Sequence, residues 1–135
     1  MAKNIKKITP PAPHIAGQGS REQISFSFEN LQEYSYTDAR NDCSFFISFL
    51  ERLQKLCCLG WTVIAKSQRH AFGFETIKVS ALNKSARNKM NQYPDITKLY
   101  CFRATGDNHV FLGYRTEGIF NVLFIEYAFN DVYQH

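Results

Sequence analysis

The chain lacks the short motifs that mark many well-known active sites. It has no glycine-rich phosphate cradle, no H-E-x-x-H zinc motif, no G-x-S-x-G nucleophile motif and no paired catalytic carboxylates at helical spacing. It also has no C-x-x-C, and the adjacent Cys57 and Cys58 would point to different sides of a helix. The histidines are scattered without the spacing of metal ligands. These absences argue against the common zinc, serine-hydrolase and phosphate-loop classes, and they predict no metal and no cofactor.

Long apolar runs are also absent. No apolar run of the kind found in signal peptides follows the basic N-terminus, and no apolar stretch is long enough to span a bilayer. We therefore expect a cytoplasmic protein with reduced cysteines and no membrane partner. The chain has 135 residues, of which 44% are hydrophobic and 15% aromatic, so one domain with a packed core is expected rather than general disorder.

The net charge of +4 is modest, but the charges are unevenly distributed along the chain. Residues 22–51 contain six acidic side chains and one basic side chain, whereas residues 66–103 contain eight basic and two acidic ones. A basic middle beside an acidic first helix can form one positive face, which would favour RNA as a partner. An ordinary solvated surface with no specific partner is the alternative.

The sequence divides into an N-terminal arm and one folded domain. Residues 1–20 are rich in lysine, proline and glycine, which predicts a flexible basic arm. Residues 21–135 are expected to form a single α+β domain. Its first element is predicted at residues 23–28, where apolar and polar side chains alternate as in a half-buried strand.

A helical hairpin is predicted after this strand. Residues 38–59 carry an apolar stripe at helical spacing, and Gly60 is expected to end the helix and connect it to a short second helix over residues 61–67. Residues 80–97 show little periodicity, which predicts a long loop with one helical turn at residues 81–88.

The last third of the chain predicts an antiparallel meander of three strands. Residues 98–104, 109–115 and 118–127 are rich in aromatic and β-branched side chains, and glycine-containing turn signals separate them. The last strand has apolar residues on both parities and should be covered on both faces. Because helices cannot bury an apolar stripe alone, they should lie across one face of the sheet. The other face would remain for the arm, a partner or a substrate.

Basic residues on the meander are candidates for binding phosphate. Arg103 and Arg115 lie on neighbouring predicted strands, where two guanidinium groups can clamp the oxygens of one phosphate. Lys98, at the start of the first of these strands, adds a third cation to this candidate set. Cross-strand pairing of each arginine with a carboxylate is the alternative.

Histidines and tyrosines in the same region are candidates for proton transfer. Tyr133 and His135 follow the last strand and could fold back over the sheet, although a frayed terminus is the alternative. Arg69 and His70 could bind a phosphate and move a proton, or Arg69 could simply pair with Glu75. Metal-free RNA cleavage needs a base for the 2′-hydroxyl, an acid for the leaving oxygen and a cation near the phosphorane. The sequence therefore offers His135, Tyr133 and His70 as catalytic candidates.

Four short sequence segments in this region resemble those of a known family. They are residues 98–103, 109–115, 120–126 and 131–135, and in order and composition they resemble the toxin superfamily of RelE-like and ParE-like proteins. In that superfamily the second strand often carries arginine, and a short tail with tyrosine or histidine follows the last strand. Residues 51–56 also look similar to small proteins of bacterial mobile elements.

The resemblance implies a RelE-like α+β fold with a helical hairpin packed on a mostly antiparallel sheet. It also implies a small basic toxin that cleaves mRNA without a metal, alone or on the ribosome, and an antitoxin partner that covers the sheet. Arg103 and Arg115 would correspond to the phosphate-binding arginines of the family. Tyr133 or His135 would correspond to its C-terminal acid or base.

The chain departs from the family pattern in three places: the longer arm, an insertion at residues 66–95, and a histidine at position 109. Two other functions stay open on the sequence alone. One is a gyrase-targeting member of the superfamily, which needs no catalytic residues. The other is a non-enzymatic phage or mobile-element protein that binds a host protein through its sheet face.

Overall fold

A computed structural model describes residues 22–68 and 71–135. The predicted arm at residues 1–20, together with Arg69 and His70, lies outside the described residues. The described part is α+β, as predicted, with a five-stranded mixed sheet, one long helix and one short helix. The elements are β1 (Ser25–Ser27), α1 (Cys43–Lys66), β2 (Phe74–Lys78), α2 (Lys84–Lys89), β3 (Lys98–Arg103), β4 (Val110–Thr116) and β5 (Ile119–Ile125).

The strands lie in the order β1-β5-β4-β3-β2. The predicted meander is confirmed, because β3, β4 and β5 pair antiparallel in sequence order. β1 pairs parallel to β5 at one edge, and β2 pairs antiparallel to β3 at the other. β5 is interior and covered on both faces, as its apolar residues on both parities predicted. Its fully buried side chains are Phe120, Val122, Leu123 and Phe124.

α1 covers one face of the sheet through Phe45, Phe49 and Leu56, which are all buried. The helix starts later than predicted because Ser35–Ala39 forms a separate 3₁₀ turn. Asp42 is its N-cap, and the Asp42 side chain accepts a hydrogen bond from the N–H of Phe45 at 3.1 Å. Among the described residues no helix combines the length and apolar character needed to cross a bilayer.

The predicted break at Gly60 is confirmed: two helical stretches, named together here as α1, meet there at a kink. Only Gly60 leaves the helical conformation, with φ 80° and ψ 166°, and the helix resumes at the buried Trp61. Essentially only glycine adopts this pair of angles. The N–H of Trp61 donates to the carbonyl oxygen of Glu22 at 2.8 Å. At the kink, this hydrogen bond therefore holds the segment before β1 against α1.

The second face of the sheet is also covered, which corrects the prediction that this face is open. Two segments cover it, residues 79–96 and the C-terminal tail. Their buried side chains are Leu82, Ala86, Met90, Val132 and Tyr133. The predicted long loop is a series of single turns, of which α2 is the longest. Leu82, Ala86 and Met90 recur at four-residue steps, but a single buried residue at each step is too sparse to form the apolar stripe of a predicted helix.

Candidate functional site

The two candidate arginines of the meander lie on opposite faces of the sheet. Arg103 pairs with Val110, and Arg115 is an odd number of positions further along β4, so the side chains point to opposite faces. Arg115 faces α1, where its guanidinium carbon lies 4.1 Å from the centre of the Trp61 ring. Its Nη2 lies 3.2 Å from a carboxylate oxygen of Glu22. The predicted two-arginine clamp is therefore wrong, and Arg115 takes part in an ion pair of the fold.

Arg103, Tyr133 and His135 come together on the other face. They line one cavity of about 170 Å³. The remaining lining residues are Glu75, Cys101, Phe102, Asn108, Val110 and Phe129. We call this cavity the tail cavity, because the C-terminal tail forms one of its walls.

The tail is anchored along its length rather than frayed. The side chain of Asn83 donates to the carbonyl oxygens of Asn130 and Asp131, at 2.7 and 3.0 Å. Val132 is fully buried, and the N–H of His135 donates to Oδ1 of Asn130 at 2.9 Å. These bonds explain why side chains far apart in the sequence meet in one cavity.

His135 is bonded to a carboxyl group that is fully buried. Its Nε2 lies 2.8 Å from Oε1 of Glu126, whose side chain is 0% exposed. Burial raises the pKa of Glu126 to about 7. Near neutral pH Glu126 is therefore only partly ionised, so its carboxyl group can donate to the imidazole or accept from it. The His135 ring stacks on Phe129 and Tyr133, with ring centres 4.6 and 4.5 Å away.

Tyr133 is placed to hold the site rather than to act as a base. Its hydroxyl donates to Oε2 of Glu75 at 3.1 Å and lies 3.5 Å from Sγ of Cys101. Burial and these neighbours raise the pKa of Tyr133 well above its ordinary value. The phenol therefore stays protonated, and its ring supports the imidazole of His135.

His109 is a candidate that the sequence analysis did not select. Its Nδ1 lies 2.9 Å from Oδ1 of Asp107. The His109 ring stacks on Tyr127 and also contacts the edge of Phe129, with ring centres 5.9 and 6.4 Å away. The two histidines, His109 and His135, therefore contact the same phenyl ring, and each is bonded to a carboxylate. The available signal was the acidic residue two positions before His109 in a predicted turn.

A second, wider cavity of about 610 Å³ lies beside His109. Its wall includes Asp42 and Tyr127, whose hydroxyl donates to Oδ2 of Asp42 at 2.8 Å. This bond and the N–H of Phe45 lower the pKa of Asp42. The hydroxyl of Thr105 and His109 likewise lower the pKa of Asp107. Both carboxylates are therefore ionised at neutral pH.

The other candidates do not join the tail cavity. Lys98 lies at the far end of β3 from Arg103 and lines a different cavity. Arg69 and His70 lie outside the described residues, so their predicted roles stay predictions. In the described part of the chain, no three His, Cys, Asp or Glu side chains are grouped so that they could hold a metal ion.

Comparison of this chain with models of protein families, with curated proteins and with solved structures gives no match. The resemblance to RelE-like toxins therefore remains a prediction from the four sequence segments and the order of elements.

Proposed function

We propose that this protein is a metal-independent endoribonuclease of the RelE-like toxin type, and that the tail cavity is its active site. One observation carries the proposal: Arg103 and His135, which are separate in the sequence, line a common cavity, and His135 is bonded to the buried Glu126. A cation for the phosphate and a group for the proton thus come together.

Arg103 is suited to bind the scissile phosphate. Its Nη1 donates to Oδ1 of Asn108 at 2.5 Å, which orients the guanidinium group. Within the described residues no carboxylate lies at ion-pair distance from it, in contrast to Arg115. The tail cavity, at about 170 Å³, is smaller than the usual ligand pocket of roughly 300–1,000 Å³. It can admit a phosphodiester group while the nucleosides lie outside, which suits a polymer substrate.

The histidines are suited to move the two protons of the reaction. In the proposed step the 2′-oxygen attacks phosphorus, the bond from phosphorus to the 5′-oxygen breaks, and a 2′,3′-cyclic phosphate and a 5′-hydroxyl result. One imidazole takes the proton of the 2′-hydroxyl, and the other gives a proton to the 5′-oxygen. His135 with Glu126, at the tail cavity, is the candidate for one role. His109 with Asp107 lines the neighbouring wider cavity and contacts the same Phe129 ring, and it is the candidate for the other.

The proposal includes mRNA, free or on the ribosome, as substrate and an antitoxin as partner. A non-enzymatic protein that binds its host target through an open sheet face is less well supported, because both faces of the sheet are covered by the chain itself. Such a protein would need another surface.

The direct test is cleavage of end-labelled RNA in EDTA, with and without ribosomes. We expect the RNA to be cleaved, except at any position where its sugar lacks the 2′-hydroxyl. Arg103→Ala and His135→Asn should each lower kcat/KM by about 10²-fold or more. Lys66→Ala, which removes an equal charge from the exposed end of α1, is the matched control and should cleave like the wild type.

Two results would overturn the proposal. One is the absence of 2′-hydroxyl-dependent cleavage under both conditions by wild-type protein that is shown to be folded. The other is an equal loss of activity in Arg103→Ala and Lys66→Ala, since that would assign the effect to net charge rather than to the tail cavity.

A further inference from the structure

A third cavity lies at the end of the sheet away from Arg103, where β2 ends and β3 begins. Its volume is about 510 Å³, within the range of roughly 300–1,000 Å³ that small-molecule sites occupy. The walls come from residues 78–80, from Arg87, from residues 90, 91, 93 and 94, and from residues 96–98. We call it the basic pocket, because all the charged residues that line it are basic: Lys78, Arg87 and Lys98.

The charges of the basic pocket are arranged in a way that favours an anion. Lys78 and Lys98 are direct cross-strand partners in the β2–β3 ladder. Like charges at directly opposed positions destabilise a sheet, and a bound anion would relieve that repulsion. Arg87 is oriented by a hydrogen bond from its Nη1 to the carbonyl oxygen of Leu82 at 2.9 Å. In the part of the chain that the structure describes, none of the three cations forms an ion pair with a carboxylate.

The rest of the wall suits a flat, weakly polar ring. Met90 and Ile96 give it apolar surface, and Tyr93 gives it an aromatic ring. Tyr93 is half-buried and its ring is tilted against that of Tyr114, with ring centres 6.3 Å apart. Asn91 adds an amide that can bond to the edge of a base. An aromatic ring beside clustered cations is the combination with which proteins hold single nucleotides and nucleic-acid strands.

We infer that the basic pocket binds a nucleotide, with the base against Tyr93 and the phosphate at the Lys78–Lys98 pair. A long-chain carboxylate would share the charge, but it would not use the ring of Tyr93 and the amide of Asn91 for specific contacts. The nucleotide is either free or one unit of an RNA strand. The inference does not depend on RNA cleavage, because this pocket and the tail cavity have no lining residue in common.

The test is a binding titration by calorimetry on the full chain, with AMP, a five-nucleotide RNA and inorganic phosphate as separate probes. AMP is expected to bind more tightly than phosphate, and its affinity should fall as salt is raised. Equal affinity for AMP and the RNA would assign the pocket to free nucleotides. The RNA carries 2′-O-methyl groups so that it cannot be cleaved at the tail cavity. Tighter binding of this RNA that is lost in Lys78→Ala/Lys98→Ala would assign the pocket to a strand.

Variants distinguish binding in the basic pocket from a general effect of net charge on affinity. Lys78→Ala/Lys98→Ala and Tyr93→Leu should each weaken AMP binding about tenfold or more. Lys84→Ala removes a charge from α2 at a position that does not line the pocket, and it should bind like the wild type. The double lysine variant removes a repulsive pair, so it is expected to fold, and its thermal midpoint serves as the check. The inference is overturned if neither AMP nor the RNA binds, or if the double variant and Lys84→Ala lose affinity equally.

Discussion

At the residue scale, Glu126 is a group whose protonation near neutral pH depends on folding. The side chain is fully buried, and burial raises its pKa from 4.5 to about 7. The charged groups that face it are His135, His109 and Asp131. Between about pH 4.5 and pH 7 the folded protein thus keeps a proton on Glu126 that the unfolded chain has already released.

The sign of the effect follows from this difference in protons bound. The contribution of Glu126 to stability is complete below about pH 4.5 and is lost as the pH rises through about 7. We expect the free energy of unfolding of the wild type to fall from pH 5 to pH 8 by at most about 3 kcal/mol, and by less where water or His135 screens the carboxylate. Glu126→Gln should remove this decline. Urea unfolding of both proteins at pH 5, 6.5 and 8 is the measurement, and parallel profiles would contradict the expectation.

The residues of the site differ in how far the sequence could identify them. Arg103, Tyr133 and His135 were selected by residue type and position, and the structure places them in one cavity. Glu126 was not selected as part of the site, because its burial arises only when the tail folds back over it. His109 was missed for a similar reason, since its bond to Asp107 depends on the conformation of a turn.

At the scale of elements, Gly60 determines the shape of α1. The sequence identified a break in the helix at this position but not its form, because a glycine permits either a chain reversal or a kink. The burial of Trp61 and Ile64 beyond the break decides for the kink. Propensity alone could not show this, because it depends on the apolar surface that the sheet offers.

Gly60→Ala tests this account. Alanine at φ 80° and ψ 166° is strained, so we expect a loss of about 1–3 kcal/mol in the free energy of unfolding. Gly106→Ala is the matched control, because a Cβ there meets nothing within 4 Å, and it should change stability by less than about 0.5 kcal/mol. Both are measured by denaturant titration. Equal stabilities of the two variants would show that the kink imposes no requirement for glycine.

At the scale of the whole molecule, the two faces of the sheet are covered by two layers, and the sequence predicts one of them better than the other. The α1 layer has a long apolar period, and the meander has clear strands and turns, so both were predicted. The second layer is built from single turns and the tail, each of which buries one or two side chains. The apolar residues of this layer are too sparse to mark it in the sequence, because Leu82, Ala86 and Met90 supply only one buried side chain at each four-residue step. The covering of the second face was missed for that reason, although the basic residues of the same segment were recognised.

The C-terminal tail contributes both to the core and to the proposed site, through residues only three positions apart. Val132 is fully buried against Leu82 and its neighbours, whereas His135 bonds to Glu126 beside the tail cavity.

Val132→Ala should lower the free energy of unfolding by about 1–3 kcal/mol, because it leaves a cavity in the second layer. It should leave kcat for RNA close to the wild-type value well below its melting temperature. His135→Asn should do the reverse, with a large loss of cleavage and a smaller loss of stability. Thermal unfolding and single-turnover cleavage of the two purified variants measure both quantities. If both variants lose cleavage only in proportion to the protein unfolded, the tail is a structural element and His135 has no part in the chemistry.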